Sequence, residues 1–151
     1  MHVAVSADER APIVEAALAW LTTAGHTPAY FGPTAAGEEQ DWPVVTRAAA
    51  AAVARGEAEL GIVFCFTGTG ASIAANKVPG IRAALCGDAE TARGARKWNH
   101  ANVLALSIRL TSPPLLGEIL TAFFGEPLSD DDWNRRQIAR IASMDRVRTG
   151  E

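Results

Sequence analysis

The feature that most constrains the fold of this chain is its alternation of short β-rich runs with longer segments of helical periodicity. The strand-like runs are His2 to Ser6, Thr27 to Phe31, Leu60 to Phe64, Ile81 to Cys86 and Val103 to Ser107. Helical patterns lie between successive runs, and repeated β-α units of this kind build a parallel sheet with helices on its faces. We therefore predict an α/β fold, a three-layer α/β/α sandwich around a five-stranded, mostly parallel sheet.

Helix signals support this order of elements. The first helix has an apolar face and ends before Gly25, as helices commonly do before a C′ glycine. The second is the alanine-rich segment 44–57, whose small side chains favour helix and allow close packing on the sheet. The third begins near Gly70, the fourth is capped by Asp88, and the fifth follows Pro113.

A sixth helix is predicted at 129–145, standing off the sandwich. Ser129 or an aspartate of the following acidic run would cap its amino end. Its apolar residues need a cover that the sandwich does not supply, and a partner subunit is the economical candidate. These residues are Trp133, Ile138 and Ile141.

Composition limits the class of protein further. The 151 residues suit one domain, 1–151, and the 48% apolar fraction is typical of a globular protein. A net charge of −3 argues against nucleic-acid binding, and no apolar run approaches a bilayer span. Cys65 and Cys86 are not a disulfide framework, so we expect reduced thiols and a cytoplasmic protein. No zinc spacing and no dinucleotide fingerprint is present, so neither metal nor cofactor is expected.

Cys65 lies at the carboxyl end of the third predicted strand, just before the turn formed by residues 67–70. Ligand sites of open parallel sheets lie at that edge, and the start of the next helix favours a thiolate. A thiolate base beside backbone N–H donors can abstract a proton next to a carbonyl while the donors stabilise the enediolate oxygen. This chemistry would suit an aldose–ketose isomerase. On composition alone, however, such a cysteine is more often a buried apolar residue, which is our interpretation of Cys86.

The block C-x-T-G-x-G-x-S-I-A-A-N-K-x-x-G-I-R-A-A-L-C, followed by N-x-A-N-V-L-A-L, resembles the type B ribose-5-phosphate isomerase and galactose-6-phosphate isomerase family. The likeness runs from the first strand to the last helix. It implies a Rossmann-like sandwich and a homodimer with sites at the subunit interface, with a tetramer as an alternative. It also implies isomerisation of a sugar or sugar phosphate through a cis-enediol, without metal or cofactor.

The resemblance assigns roles to the residues around the turn. Cys65 matches the enediol base, and Thr67 belongs to the same catalytic group. Gly68 and Gly70 match the loop that stabilises the anion. Some relatives use a glutamate six residues after the cysteine as base, but this chain has Ala71 there, so Cys65 is the base that the pattern offers.

Three further positions match substrate-binding residues of the family and two depart from it. Asp8 matches the aspartate after the first strand, Asn99 the asparagine near the reacting carbonyl, and Arg109 the arginine after the fifth strand. Glu9 replaces a histidine that would face the substrate, and Phe66 replaces a glycine at the mouth of the site.

The largest departures concern ring opening and phosphate binding. Trp98 stands where the family has its ring-opening histidine, and His100, two residues on, is a possible acid or base in its place. Trp133 and Gln137 stand where the family has two phosphate-binding arginines. The two tryptophans offer flat apolar faces for a sugar ring. We therefore expect the chemical site to survive and the phosphate site to be rebuilt.

Three interpretations of function follow. The resemblance implies conversion of ribose 5-phosphate to ribulose 5-phosphate, with Arg135 and Arg136 as replacement cations if the last helix is shifted by one residue. The second is isomerisation or epimerisation of an unphosphorylated or modified sugar. The third is a non-catalytic subunit that pairs with a paralogue.

Overall fold

The computed structural model describes residues 1–35 and 37–149, with side chains described up to Asp145. The predicted domain 1–151 thus includes 150 and 151, which lie outside the described residues. Strands and helices alternate along the described chain as β1 (His2–Ser6), α1 (Pro12–Thr23), β2 (Thr27–Phe31), α2 (Trp42–Ala54), β3 (Leu60–Cys65), α3 (Thr69–Ala75), β4 (Ala83–Leu85), α4 (Ala89–Asn99), β5 (Val103–Ser107), α5 (Pro113–Gly125) and α6 (Asp132–Thr149).

The strands form one five-stranded sheet in the order β2-β1-β3-β5-β4, and each of these pairings is parallel. The predicted Rossmann-like α/β architecture is confirmed. The chain moves from β1 outward to β2 and then crosses to β3 on the other side of β1. Ligand crevices of open α/β sheets lie beyond the carboxyl ends of the strands at such a switch point.

Two hydrophobic clusters, one on each face of the sheet, lie between the strands and the helices. Because side chains alternate along a strand, Ile62 and Phe64 pack with α1, α4 and α5, while Val63 and Cys65 pack with α2 and α3. The second cluster consists almost wholly of alanine and valine. Ala49 of α2 is fully buried, in agreement with the close packing predicted for this helix.

The predicted bounds of two strands need correction. β4 covers Ala83–Leu85 rather than 81–86, because the N–H of Ile81 donates to Val78 O in a turn and that of Arg82 donates to the Asn102 side chain. β3 continues one residue further than predicted, to Cys65, because its ladder with β5 extends to the pair Cys65 and Ser107.

The bounds of α2 also differ from the prediction, whereas the cap of α4 does not. α2 starts at Trp42 and ends at Ala54 instead of covering 44–57, because Asp41 is its N-cap and Pro43 fits its first turn. The predicted cap of α4 is confirmed, since the Asp88 carboxylate accepts the N–H of Thr91 at 2.7 Å.

The last helix is α6, Asp132–Thr149, and not 129–145. Of the alternatives for its cap, an aspartate of the acidic run is correct, because Asp131 accepts the N–H of Asn134 at 2.9 Å. The Ser129 hydroxyl instead donates to the Asp131 carboxylate. Trp133 is 62% exposed, so its cover by a partner subunit stays a prediction. No described helix combines the length and the apolar character that a bilayer span requires.

Candidate active site

The thiol of Cys65 is buried at the carboxyl end of the central strand β3. Cys65 ends β3, is 5% exposed, and points toward α2 and α3. The N–H of Ala71 donates to its Sγ at 3.4 Å. This N–H belongs to the first turn of α3, where amide donors lack acceptors within the helix. Because the N-cap residue Gly68 has no side chain, the cysteine sulfur takes the place of a capping acceptor.

The turn after Cys65 is held in one conformation by β5. Gly68 has a φ of 76°, and a Cβ there would lie 2.7 Å from Leu85 Cδ1 and 2.8 Å from the Leu106 carbonyl carbon. The Ser107 hydroxyl donates to Phe66 O at 2.9 Å, and the N–H of Arg109 donates to the same oxygen at 3.0 Å. The turn therefore keeps the thiol and the following amides in register with the sheet.

Other predicted residues of the turn are open to solvent. Thr67 is exposed, and its hydroxyl lies 2.7 Å from that of Thr69. Phe66 is 59% exposed. Arg109 is also exposed and follows the end of β5 at the same edge of the sheet as Cys65.

An acidic cleft of about 600 Å³ lies at this edge, next to the turn. Its lining includes the predicted residues Asp8, Glu9 and Phe66. Burial raises the pKa of Asp8. Hydrogen bonds from the backbone N–H groups of Asp8 and Glu9 partly oppose this rise, whereas the negative charge of Glu39 adds to it. Asp8 Oδ1 is buried and has no hydrogen-bond partner among the described residues. A hydroxyl of a bound sugar would supply such a donor.

Sequence reasoning missed the other wall of the cleft, which the loop after β2 provides. Glu39, Gln40, Asp41 and Trp42 line it. The N–H of Gln40 donates to Asp8 O at 2.9 Å, and Trp42 packs on Gly70, whose Cβ would lie 3.2 Å from the indole. The available signal was topological: loops after β1, β2 and β3 leave the same edge of a parallel sheet, so residues after β2 can reach Cys65.

A second group of predicted residues lies elsewhere in the chain. Trp98, Asn99 and Gln137 line a cavity of about 520 Å³ between the end of α4, the start of β4 and α6. His100 ends α4 in the left-handed conformation, with its Nε2 2.8 Å from Ser129 O. Trp133 is on the first turn of α6 but does not line this cavity.

The two groups of residues lie at opposite ends of the strands of one sheet. Cys65 pairs with Ser107 at the carboxyl end of β5, whereas Asn99 precedes the amino end of β5 at Val103. Four residue steps along a strand span about 13 Å. One chain therefore does not bring Asn99 to Cys65, and a site that contains both needs a second copy.

Cys86, the other cysteine, differs in its surroundings. It is 2% exposed and packs with the α1, α4 and α5 cluster. Burial, with a smaller contribution from Asp88, raises the pKa of its thiol to about 12. Cys86 is therefore protonated at neutral pH and is no base.

A parallel sandwich with a thiol, a glycine turn and a cleft at the carboxyl end of its central strand defines an α/β enzyme with its site at the strand ends. A family model described as Ribose/Galactose Isomerase matches residues 3–142. The chain belongs to this family and is an aldose–ketose isomerase, an intramolecular oxidoreductase.

Individual relatives agree with the family. The chain is 40% identical over 124 residues to the galactose-6-phosphate isomerase subunit LacB of Clostridium acetobutylicum, covering 82% of this chain and 71% of that protein. It is 38% identical to the D-erythrulose-4-phosphate isomerase of Pectobacterium atrosepticum, with 82% of each chain covered. The type B ribose 5-phosphate isomerase of Trypanosoma brucei has the same fold, with a TM-score of 0.89, 44% identity, and 95% of this chain and 97% of that chain covered.

Proposed function

We propose that this protein interconverts an aldose phosphate and its ketose through a cis-enediol, with Cys65 as the base. The substrate pair that the resemblance favours is ribose 5-phosphate and ribulose 5-phosphate. The observation that carries the proposal is the Cys65 thiol at the carboxyl end of the central strand, within hydrogen-bonding distance of the Ala71 N–H and beside the glycine turn.

The steps balance without a cofactor. The Cys65 thiolate removes the proton from C2 of the open-chain aldose, the electron pair forms the C1–C2 double bond, and the carbonyl electrons move to O1. The backbone N–H groups of Thr67, Thr69 and Gly70 stabilise that oxygen, while the N–H of Gly68 donates to Cys65 O at 3.2 Å. The thiol then returns the proton to C1, the proton on O2 passes to O1, and C2 becomes the ketone.

The substrate-binding residues would come from two subunits. Asp8, Glu9, Phe66 and Arg109 lie at the Cys65 edge. The second group, Trp98, Asn99 and Gln137, lies at the opposite edge, and the partner of a two-fold dimer would carry it to Cys65. His100 stays our candidate for ring opening, and Trp133 for ring stacking.

The dimer has an apolar surface on which to form. Trp133 is 62% exposed, Ile141 45% and Met144 59%, all on α6. Large exposed apolar side chains on one helix are typical of a protein interface. A homodimer with two shared sites accounts for both the exposed helix and the divided site, and a tetramer would add a further interface.

The phosphate contacts of this site are altered. A charge-assisted hydrogen bond contributes about 1.5–3 kcal/mol, so Trp133 and Gln137 in place of arginines lower the affinity for a phosphate. The acidic cleft adds repulsion near Cys65. Unphosphorylated or modified sugars are therefore a second candidate class of substrate. Tetrose phosphates belong in the same panel, because one relative is named as a D-erythrulose-4-phosphate isomerase.

The candidate function of a different class is that of a non-catalytic subunit, which would pair with a paralogue. One observation favours it: a relative 40% identical to this chain is named as a subunit of galactose-6-phosphate isomerase. In that case a paralogue would carry the histidine and arginines that Trp98, Trp133 and Gln137 replace.

The deciding experiment follows C2–H exchange and ketose formation by NMR in deuterated water, with tetroses, pentoses and hexoses, free and phosphorylated. We expect exchange with the wild type, none with Cys65→Ala, and near-normal exchange with the matched control Cys86→Ala. Equal loss in both cysteine variants would contradict a base at Cys65. No exchange with any sugar from a folded dimer would remove the stand-alone isomerase and favour the paired subunit.

A further inference from the structure

The cavity beside α6 has a charge opposite to that of the cleft beside Cys65. Its polar lining consists of two arginines, Arg82 and Arg140, and three carboxamides, Asn76, Asn99 and Gln137. Among the described residues that line this cavity, none carries a carboxylate. The acidic cleft, which Phe66 but not Cys65 lines, has no arginine or lysine among its described lining residues. Its carboxylates are those of Asp8, Glu9, Glu39 and Asp41.

Arg140 lies on the helix face that borders this cavity. Gln137, Arg140, Ile141 and Met144 follow the spacing i, i+3, i+4 and i+7, which places them on one side of α6. Arg140 forms no salt bridge with any described side chain. Its guanidinium therefore remains available to an anion that enters the cavity.

The arginine nearest in sequence to the altered positions is placed differently. Arg135 donates to Asp132 at 2.7 Å and does not line the cavity. It is two residues from Gln137, and residues so spaced do not face the same side of a helix. Arg135 therefore lies on a different side of α6 from Gln137, and only a shift of the helix register would make it, or Arg136, a replacement cation.

Arg82 gives the cavity a second, fixed positive charge. It is half-buried at the start of β4, and its Nε donates to His100 O at 2.8 Å. The Asp145 carboxylate, which accepts the Gly80 N–H at 2.7 Å, is close enough to Arg82 to interact with its charge. Arg82, whose charge Asp145 partly offsets, thus lines the cavity beside β4, while Arg140 lines it on α6.

We propose that Arg140 determines specificity for the phosphate end of the substrate, binding it in the cavity beside α6 while the sugar carbonyl reaches Cys65 of the partner subunit. This inference rests on the proposed function, since it divides one sugar phosphate between two half-sites. The acidic cleft accepts the hydroxyls, and the arginine cavity accepts the dianion. Arg140 supplies the cation that Gln137, three residues earlier, lacks.

The test compares Arg140→Gln with the matched control Arg135→Gln, which removes an arginine from the other side of the same helix. We measure kcat/KM for the best phosphorylated substrate and for its unphosphorylated sugar. Arg140→Gln should lower the phosphorylated value about 10- to 100-fold, the effect of one charge-assisted contact, and leave the unphosphorylated value unchanged. Arg140→Lys should recover part of the loss, since it restores the charge but not the bidentate geometry.

A binding measurement separates this inference from the proposed function. Titration of inorganic phosphate, followed by ³¹P NMR line width, requires no turnover and should show weaker binding to Arg140→Gln than to wild type or Arg135→Gln. If no sugar is isomerised but this difference is found, the proposed function fails and the anion site stands. Equal phosphate binding by all three proteins, or equal losses with both sugars, would overturn the role of Arg140.

Discussion

At the residue scale, Gly68 determines the surroundings of the Cys65 thiol. Its sulfur occupies the position of a helix cap only because Gly68, the actual N-cap residue, has no side chain. Gly68 in turn has a backbone conformation that disfavours other residues and has no space for a Cβ. The same glycine therefore serves both the fold of the turn and the surroundings of the thiol.

Gly68→Ala should destabilise the protein by about 2–4 kcal/mol, because the left-handed conformation and the contacts with Leu85 and Leu106 act together. Gly25→Ala is the matched control: its φ is 80°, but nothing lies within 4 Å of the added Cβ, so about 1 kcal/mol is expected. Urea unfolding measures both free energies. Similar losses in the two variants would contradict the crowding of Gly68 against β4 and β5.

At the scale of elements, the junction of α4 with α6 forms the cavity at the amino ends of the strands. The N–H of Ser129 donates to Lys97 O at 2.9 Å, and buried Asn134 donates to the same oxygen at 3.4 Å. His100 closes α4 and contacts Ser129. These contacts bring Asn99 and Gln137 to one cavity, although they are far apart in the sequence.

The amino end of α4 gives a pH-dependent stability. The N–H of Thr91 lowers the pKa of Asp88 below its ordinary value of 3.8, with help from the Thr91 hydroxyl. A carboxyl whose pKa is depressed on folding stabilises the protein above its unfolded pKa, and this contribution disappears as the pH falls through the folded pKa. The charged cap should therefore matter at neutral pH and not in acid.

We expect Asp88→Asn to lower the urea midpoint at pH 7 and to approach the wild-type midpoint as the pH falls below 3.8. Asp88→Ser, another neutral cap, should behave as Asp88→Asn does. A wild-type advantage that stays constant from pH 7 to pH 3 would show that the charge of Asp88 is not the cause.

For the whole molecule, the proposed function requires that each chain contribute residues to two different sites. Cys65 is at the carboxyl edge of the sheet and Asn99 is at the amino edge. A two-fold axis that places Asn99 of one copy against Cys65 of the other does the same for the second pair. The proposed dimer would then have two sites, each with residues of both chains.

Mixing two inactive variants tests this arrangement. Cys65→Ala and Asn99→Ala dimers, each inactive alone, should regain about a quarter of the wild-type activity after subunit exchange. Half of the random dimers are mixed, and each mixed dimer has one site with both residues intact. Unmixed proteins incubated separately are the control. A lack of recovery, with mixed dimers demonstrated by mass spectrometry, would contradict a site shared between the two chains.

Much of the fold could be predicted because its signals are local. Hydrophobic runs located all five strands, and Asp88 was recognised as a cap from its position before a helical pattern. The errors concern the ends of elements, which contacts outside the local sequence pattern determine. β4 begins late because the N–H of Arg82 donates to the Asn102 side chain, and α6 begins late because Asp131 rather than Ser129 accepts the N–H of Asn134.

The sequence by itself determined the parallel sandwich, the family and the position of the thiol beside its glycine turn, because periodicity, glycine and a contiguous motif are properties of neighbouring residues. Only the tertiary structure decided which side chains share a cavity. It joined the loop after β2 to Asp8, separated Asn99 from Cys65, and placed Arg140 rather than Arg135 beside Gln137. Strand order and helix packing bring distant residues together, and no local pattern in the sequence encodes their distances.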